Sequence, residues 1–282
     1  MNKNIGFMQG RLSPLYRNKI QCFPKSHWES EFSIANSLGL NKMEWTLDHE
    51  DLLKNPLLNI SGQKKIKSLT KKYKIEIPSV TGDCFMQKPF WHEKNQHMRN
   101  ILNHNFDLIC ESCEKLSINF IVIPLVDNGK LENEYQENLL IDWLTSKYSF
   151  LKKSKLNVLF EMESNPKKIK NFIKNFESDV FGINYDIGNS ASLGYNPIDE
   201  FEAYGERIKN VHVKDRLLGG STVPLGEGAA DFRNVFKCLH NIEYMGNFIL
   251  QTARSYNEKH SFVLKSYSLF INKFVEEFKL GI

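Results

Sequence analysis

Four polar side chains follow apolar runs in the second half of the chain, and their types could bind a metal ion. They are Glu161 at the end of NVLFE, Asp186 at the end of INYD, His212 within VHVKDR and Gln251 at the end of FILQ. Any one of them could simply cap a strand end, but four on consecutive strand-like runs favour a shared site. Carboxylate, imidazole and amide ligands suit one divalent ion, and they do not discriminate among Mn²⁺, Mg²⁺, Co²⁺ and Zn²⁺.

The elements that must position these residues alternate along the chain, because each short apolar run is followed by a longer amphipathic stretch. Eight strand-like runs can be recognised: Ile5–Met8, Lys42–Trp45, Ile75–Val80, Asn119–Pro124, Asn157–Glu161, Phe181–Asp186, Ile208–Val213 and Asn247–Gln251. Such a repeat predicts a closed parallel (β/α)₈ TIM barrel that forms one domain over residues 1–282. An open doubly wound sheet is the alternative, but the turn MQGRLSP lacks its glycine-rich phosphate loop.

Two arginines could bind an anion at the end of the barrel where the strands finish. Arg11 follows the first predicted strand and Arg254 follows the last, so a closed barrel makes them neighbours. A pair of guanidinium groups can fork onto a phosphate or a carboxylate. The alternative is that both arginines form hydrogen bonds across the junction of the first and last strands.

Composition excludes several other classes of protein. The 282 residues are 41% hydrophobic and 25% charged, which is typical of a globular chain, and the net charge of +4 is too small to indicate a nucleic-acid partner. The longest apolar run, Phe120 to Val126, is too short to span a membrane, and the N-terminus shows no secretory segment. The five scattered cysteines are typical of reduced thiols, so we expect a cytoplasmic protein.

Segments along the whole chain resemble the xylose isomerase-like TIM barrels, the sugar isomerase and epimerase group that also includes the endonuclease IV fold. The segments are GFMQGRLSP at 6–14, FEME at 160–163, NYDIGNSASLGY at 184–195, VHVKDR at 211–216, PLGEGAADF at 224–232 and FILQTAR at 248–254. Each is weak alone. Glu, Asp and His on successive predicted strands, followed by the Gly-x-Gly segment, are specific in combination.

The resemblance implies a set of metal ligands, and this sequence differs from the family at one of them. In that family a Glu, an Asp, a His and a second Glu bind the metal, and the two glutamates exchange protons on opposite faces of a sugar. Glu161, Asp186 and His212 match the first three ligands, whereas Gln251 replaces the second glutamate and cannot transfer a proton at neutral pH. Asn189 stands where many relatives have a histidine that contacts the substrate.

The resemblance further implies a metal-dependent isomerase or epimerase of sugars or sugar phosphates. Glu161 would remove the proton next to a carbonyl group and produce an enediolate. A single base suffices for aldose–ketose isomerisation, whereas epimerisation needs a second proton group. Lys214 is our catalytic candidate for that group, although a salt bridge or an anion contact is its alternative role; the other candidates are Asp215, Glu163, Asp83 and Glu44.

The expected substrate is therefore a small sugar or sugar phosphate. Residues near the predicted strand ends could contact it: Arg11, Glu44, Asp83, Asn189, Arg216 and Arg254. The loop 219–231 could fold over it. Apolar residues at helical spacing between Phe262 and Phe278 predict a helix that docks on the barrel, and part of it could form a homodimer contact.

Three other functions stay open at this point. A non-catalytic sugar-binding barrel would explain the loss of the second glutamate at Gln251. A dehydratase could use the same proton abstraction. An endonuclease of the endonuclease IV type would need a cluster of zinc ions, for which the strand ends carry too few histidines.

Overall fold

Eight parallel strands close into a barrel in the computed structural model, which describes residues 3–16 and 19–281. The barrel strands are β1 (Ile5–Met8), β2 (Met43–Thr46), β3 (Ser79–Thr81), β4 (Phe120–Leu125), β5 (Asn157–Met162), β6 (Phe181–Asp186), β7 (Ile208–Val213) and β10 (Asn247–Leu250). Each strand pairs with its neighbour in chain order, and β10 pairs with β1 to close the ring. The predicted (β/α)₈ TIM barrel is confirmed.

Helices lie between successive strands. They are α1 (Trp28–Leu38), α2 (Ile60–Tyr73), α3 (Asp83–Gln87), α4 (Gln96–Leu116), α5 (Glu134–Ser146), α6 (Tyr148–Lys153), α7 (Pro166–Ile173), α8 (Ile187–Ser192), α9 (Pro197–Tyr204), α10 (Phe232–Asn241) and α11 (His260–Glu277). Four 3-10 turns are also present, at Leu52–Lys54, Pro56–Leu58, Asp127–Gly129 and Gly205–Arg207. Asparagine side chains accept the first free backbone N–H groups of several helices, as Asn95 does for α4 and Asn165 for α7.

The core lies between the barrel and its helices, and aromatic side chains fill much of it. Phe160 and Phe181 on neighbouring strands pack with Phe172 and Phe176, with ring centroids 4.8–6.4 Å apart. All five cysteines are buried and unpaired. Among the described helices, none has the length and apolar character that a bilayer crossing requires.

Short elements after the strands were not predicted. Strands β8 (Asp215–Arg216) and β9 (Thr222–Val223) form an antiparallel hairpin beyond β7. Helices α3 and α8 follow β3 and β6 after at most one residue. Elements of two to six residues are too short to show a hydrophobic period, so the sequence could not reveal them.

Candidate active site

Three side chains of neighbouring strands converge at the carboxyl end of the barrel. Glu161 lies near the end of β5, Asp186 ends β6 and His212 lies in β7, where its Cα pairs with that of Asp186. One ligand atom of each residue lies within 4.8 Å of the others, and all three residues are buried. Parallel strands present their carboxyl ends at one face, so this clustering follows from the strand order. The group has the ligand types of a divalent metal site.

A carboxylate under His212 orients the imidazole ring. Its Nε2 lies 2.7 Å from Oε1 of Glu44, and its Nδ1 lies 3.0 Å from Oε2 of Glu161. Glu44 is itself held by the hydroxyl of Ser79 and the amide of Asn210, at 2.6 and 3.1 Å. Within the described part of the chain, no hydrogen bond reaches His212 Nδ1. A histidine held by a carboxylate at one nitrogen, with its other nitrogen beside a further ligand carboxylate, is an arrangement that metal sites use. The residues present therefore fit such an ion, and its binding would release a proton from the imidazole.

Burial and charge act in opposite directions on the titration of these groups. Burial lowers the pKa of His212, but the carboxylates of Glu44 and Glu161 outweigh it and raise that pKa to about 10. Burial raises the pKa of Glu161, but His212 and the charge of Lys214 outweigh it, so the pKa falls below its ordinary value. Burial raises the pKa of Asp186, and Lys214 offsets part of the effect. Glu161 therefore carries its charge at neutral pH.

Two asparagines hold the carboxylate of Glu161. Asn189 donates to its Oε1 at 2.9 Å and Asn184 donates to its Oε2 at 3.0 Å. Asn184 was not predicted, although a signal was present. It stands two residues before Asp186 on the same strand, and strand side chains two apart point to the same face.

Lys214 and Gln251 lie together beside the three predicted ligands. The ammonium group of Lys214 lies 2.7 Å from Oδ2 of Asp186 and donates a hydrogen bond of 2.9 Å to Oε1 of Gln251. The amide nitrogen of Gln251 donates to Oε1 of Gln21 at 2.9 Å. The contact of Lys214 with Asp186 is the salt bridge that the sequence left open as its alternative role. The metal-ligand role of Gln251 stays a prediction, since its oxygen faces an ammonium group here.

A cavity of about 360 Å³ opens above these groups. Seven of the predicted site residues line it: Arg11, Asp83, Glu161, Asn189, Lys214, Arg216 and Gln251. Ser221 and Thr222 from the hairpin region also face it. Four predicted site residues do not line it: Glu44, Asp186, His212 and Arg254. Asp186 and His212 are buried beside Glu161, Glu44 contacts His212, and Arg254 lies at the seam of the barrel.

The two arginines at the seam bind backbone carbonyl groups. Arg11 donates to the carbonyl oxygens of Thr252 and Ile20 at 2.9 and 3.0 Å. Arg254 donates to the carbonyl oxygens of Gly10 and Ser13. These contacts match the alternative role, in which both arginines form hydrogen bonds across the junction of the first and last strands. Anion binding by the pair stays a prediction.

Polar residues on the remaining walls of the cavity hold one another in place. Arg216 donates to Oδ1 of Asn189 at 2.9 Å and forms an ion pair of 3.3 Å with Glu163. Burial raises the pKa of Asp83 to about 7, although a hydrogen bond of 2.9 Å from Gln21 favours the charged form. Gln21 was not predicted, because a polar residue in the loop after β1 carries no pattern that distinguishes it from its neighbours.

Comparisons with known proteins agree with this architecture. The candidate L-ribulose-5-phosphate 3-epimerase SgbU of Haemophilus influenzae is 22% identical over 85% of this chain and 88% of its own length. The protein of the same name from Escherichia coli is 33% identical, but the match covers only 30% of this chain and 32% of that protein. Inosose dehydratase of Bacillus thuringiensis is 24% identical over 57% of this chain and 60% of its own length.

A solved structure and a family profile extend the comparison. The crystal structure of IolI with a bound zinc atom superposes with a TM-score of 0.76 at 15% identity, over 98% of this chain and 99% of that one. At that identity the likeness concerns the fold. The profile of the xylose isomerase-like TIM barrels matches residues 32–265, which confirms the resemblance found in the sequence. Because this match spans most of the chain, the protein belongs to the xylose isomerase-like TIM barrel family.

Proposed function

We propose that this chain is a metal-dependent isomerase or epimerase of a sugar or sugar phosphate, with Glu161 as the base. The observation that carries the proposal is the buried group of Glu161, Asp186 and His212, with Glu161 opening onto the cavity. The candidate epimerase named above supports the reaction class, and its name suggests a ketose phosphate as substrate.

The proposed metal site consists of Glu161, Asp186 and His212, with Gln251 as the predicted fourth ligand. A bound divalent ion would polarise the carbonyl group of the sugar and lower the free energy of the neighbouring carbanion. These ligand types suit Mn²⁺, Mg²⁺, Co²⁺ and Zn²⁺ alike.

Glu161 would accept the proton from the carbon next to the carbonyl group. Its carboxylate is ionised at neutral pH, and two asparagine amides fix its orientation, so its free lone pairs can be aimed at the substrate. The protonated carboxyl would then return the proton to the neighbouring carbon. At the same time the hydroxyl proton of the enediolate would move from one oxygen to the other, which completes an isomerisation. For epimerisation the proton must return from the opposite face. Lys214 and Asp83 are the candidate donors on the cavity wall, whereas Glu163 is held there by ion pairs with Lys130 and Arg216.

The substrate contacts that we propose are those of the cavity wall. Arg216 and Asn189 are linked to each other there, and Asp83 on α3 lines the same cavity. Glu44 is assigned a supporting role instead, because it is fully buried and holds His212.

A dehydratase is the second candidate function, and the match with inosose dehydratase favours it. Dehydration begins with the same proton abstraction but ends with loss of a hydroxyl group as water. A non-catalytic barrel and an endonuclease stay weaker alternatives. Among the described residues, one group of metal-ligating side chains is found, whereas the endonuclease would need several zinc ions.

Replacing the base tests the proposal. In deuterium oxide with L-ribulose 5-phosphate and with a panel of free ketoses, the wild type should exchange the proton next to the carbonyl group. Glu161→Gln should reduce that rate by about 10²–10⁴-fold, which is the usual contribution of an acid–base group. Mass spectrometry of the recovered sugar measures the exchange, and also any loss of water.

Glu163→Gln is the matched control, since this residue lies two positions further along the same chain segment and lines the same cavity. We expect the control to lose less than about tenfold in rate. A loss of less than tenfold in Glu161→Gln, or an equal loss in both variants, would contradict the assignment of the base.

A further inference from the structure

Lys214 contacts the oxygen atom that Asp186 has free for a metal ion. Oδ1 of Asp186 accepts a hydrogen bond of 2.8 Å from the backbone N–H of Asn189, where it caps α8. Oδ2 is buried and has the ammonium group of Lys214 at 2.7 Å. The remaining ligand atom of Asp186 is thus already beside a positive charge.

The same ammonium group also binds the predicted fourth ligand. Oε1 of Gln251 accepts a hydrogen bond of 2.9 Å from Lys214, while the amide nitrogen of Gln251 is engaged with Gln21. Lys214 therefore joins Asp186 to Gln251.

The fold holds the lysine in this position. Its side chain is 13% exposed, and its stem passes beside the first turn of α8. A Cβ at Gly188 would lie 2.7 Å from Cγ of Lys214, so glycine at this position makes room for the stem. The lysine is consequently built into the site and does not project freely into the cavity.

Charge makes this contact matter for metal binding. Glu161 and Asp186 supply two negative charges, and Lys214 cancels one of them at contact distance. A glutamate at position 251 would restore the lost charge, but Gln251 does not. An opposite charge within about 4–6 Å changes the pKa of a carboxyl group by about 1–3. We expect the charge of Lys214 to change the equilibrium for binding a cation by a similar number of logarithmic units.

We propose that the Lys214 ammonium group is a built-in competitor of the divalent metal, and that Lys214 and Gln251 together set the metal affinity. A metal ion can bind Asp186 Oδ2 and Gln251 Oε1 only after the ammonium group has left them. This inference rests on the proposed metal site, but it concerns binding of the ion and not the reaction.

Metal titration of charge variants tests the proposal. Protein stripped with EDTA is titrated with Mn²⁺ and with Co²⁺ by calorimetry, and Co²⁺ is also followed by its visible absorption. Lys214→Met should bind both ions at least about tenfold more tightly than the wild type. Lys214→Gln should do the same, and its amide can still form hydrogen bonds with Asp186 and Gln251 should the methionine variant fail to fold.

Two control variants separate charge from packing. Lys214→Arg keeps the positive charge and should bind metal within about threefold of the wild type. Lys130→Met removes a positive charge that pairs with Glu163 in the same cavity and should also stay within about threefold, because Lys130 contacts neither Asp186 nor Gln251. The melting temperature without metal checks each fold, and its rise on adding metal gives a second measure of affinity.

The proposal is overturned if Lys214→Met and Lys214→Gln bind metal within threefold of the wild type, or if no variant binds metal. It is also overturned if Lys130→Met tightens binding as much as Lys214→Gln does. The titration contains no sugar, so its result does not depend on catalytic activity. A protein without activity that still shows the expected change in metal affinity would support this inference. An active protein without the shift contradicts this inference alone.

Discussion

Glu44 acts on the site from below, without reaching the cavity. It is completely buried, and its Oε1 lies 2.7 Å from Nε2 of His212. The carboxylate of Glu44 accepts a hydrogen bond from Nε2 of His212, and the ring is thereby held with its Nδ1 directed at Glu161. A residue that holds a metal-binding histidine usually contributes about 10–100-fold to metal affinity.

Replacing Glu44 should therefore weaken metal binding. We expect Glu44→Gln to reduce the affinity for Co²⁺ by about tenfold or more, because the amide holds the imidazole less strongly than the carboxylate does. Titration by visible absorption measures the change. Glu76→Gln, at an exposed position on the loop before β3, serves as control, and equal affinities of the two variants would speak against a supporting role for Glu44.

Polar side chains inside the barrel form a connected layer, and the sequence indicated only part of it. Glu161, Asp186 and His212 were predicted because each ends or lies near the end of an apolar run. Asn184 and Asn210, each two residues earlier on its strand, complete the layer through a hydrogen bond of 2.8 Å between them. The alternation of side chains along a strand places both asparagines on the same face as the proposed ligands. Their hydrogen-bond partners lie on other strands, so the neighbouring sequence does not indicate them.

The hairpin of β8 and β9 is the element that covers the cavity from the β7 side. Asp215 lies at its start and is buried. Its carboxylate accepts hydrogen bonds from the backbone N–H groups of Gly226, Gly228 and Ala230, at 2.8, 3.0 and 3.1 Å. A Cβ at Gly228 would overlap this carboxylate, so the loop can wrap around it only with glycine there.

Loss of this charge should loosen the loop. Asp215→Asn keeps the size of the side chain but replaces one acceptor with a donor, which leaves at least one of the three backbone N–H groups without its acceptor. We expect a loss of about 1–3 kcal/mol in the free energy of unfolding. Hydrogen exchange should become faster in residues 217–230.

Asp231→Asn is the control for the loop experiment, since that residue lies at the loop end and caps α10 by accepting from Asn234 at 3.0 Å. It should affect exchange at the start of α10 and leave the loop amides protected. Unchanged exchange in the loop of Asp215→Asn would show that the three hydrogen bonds do not hold it.

At the scale of the whole molecule, a buried carboxyl ties the first helix to the seam of the barrel. Glu31 on α1 is fully buried and accepts hydrogen bonds from the backbone N–H groups of Gly10 and Leu12 at 2.9–3.0 Å. Burial raises its pKa to about 7, although these hydrogen bonds favour the charged form. The folded protein therefore holds this proton more strongly than the unfolded chain, whose glutamate has a pKa near 4.5.

Stability should consequently fall as the pH rises through this interval. Between about pH 4.5 and 7 the folded state binds more protons at Glu31 than the unfolded state does, and the contribution is lost above pH 7. Relative to Glu31→Gln, the wild type should lose up to about 3 kcal/mol in the free energy of unfolding. Urea denaturation at pH 5 and pH 8 measures the difference.

Glu29→Gln, an exposed position on the same helix, is the control for the pH experiment. If the wild type and Glu31→Gln showed the same pH dependence of stability, Glu31 would not be the titrating group.

Three expectations from the sequence stay predictions. They are the homodimer contact on the last helix, the single domain over residues 1–282 and the cytoplasmic location.

The barrel architecture, and the positions of the three proposed ligands at its carboxyl end, could be predicted from the amino-acid sequence. The alternation of strand-like and helical runs predicted the barrel, since a hydrophobic period reports local structure directly. Parallel strands in chain order then bring their carboxyl ends together, so Glu161, Asp186 and His212 could be placed near one another without knowing any contact.

The partner of each polar group could not be predicted, because it depends on contacts between distant segments. Lys214 could have faced an anion, but it binds Asp186 and Gln251, and Arg254 binds carbonyl groups at the seam. Glu44 reaches His212 across 168 residues of sequence. Such pairings depend on barrel closure and on side-chain rotamers. Neither leaves a period or a spacing in the sequence, because both result from distant segments packing together.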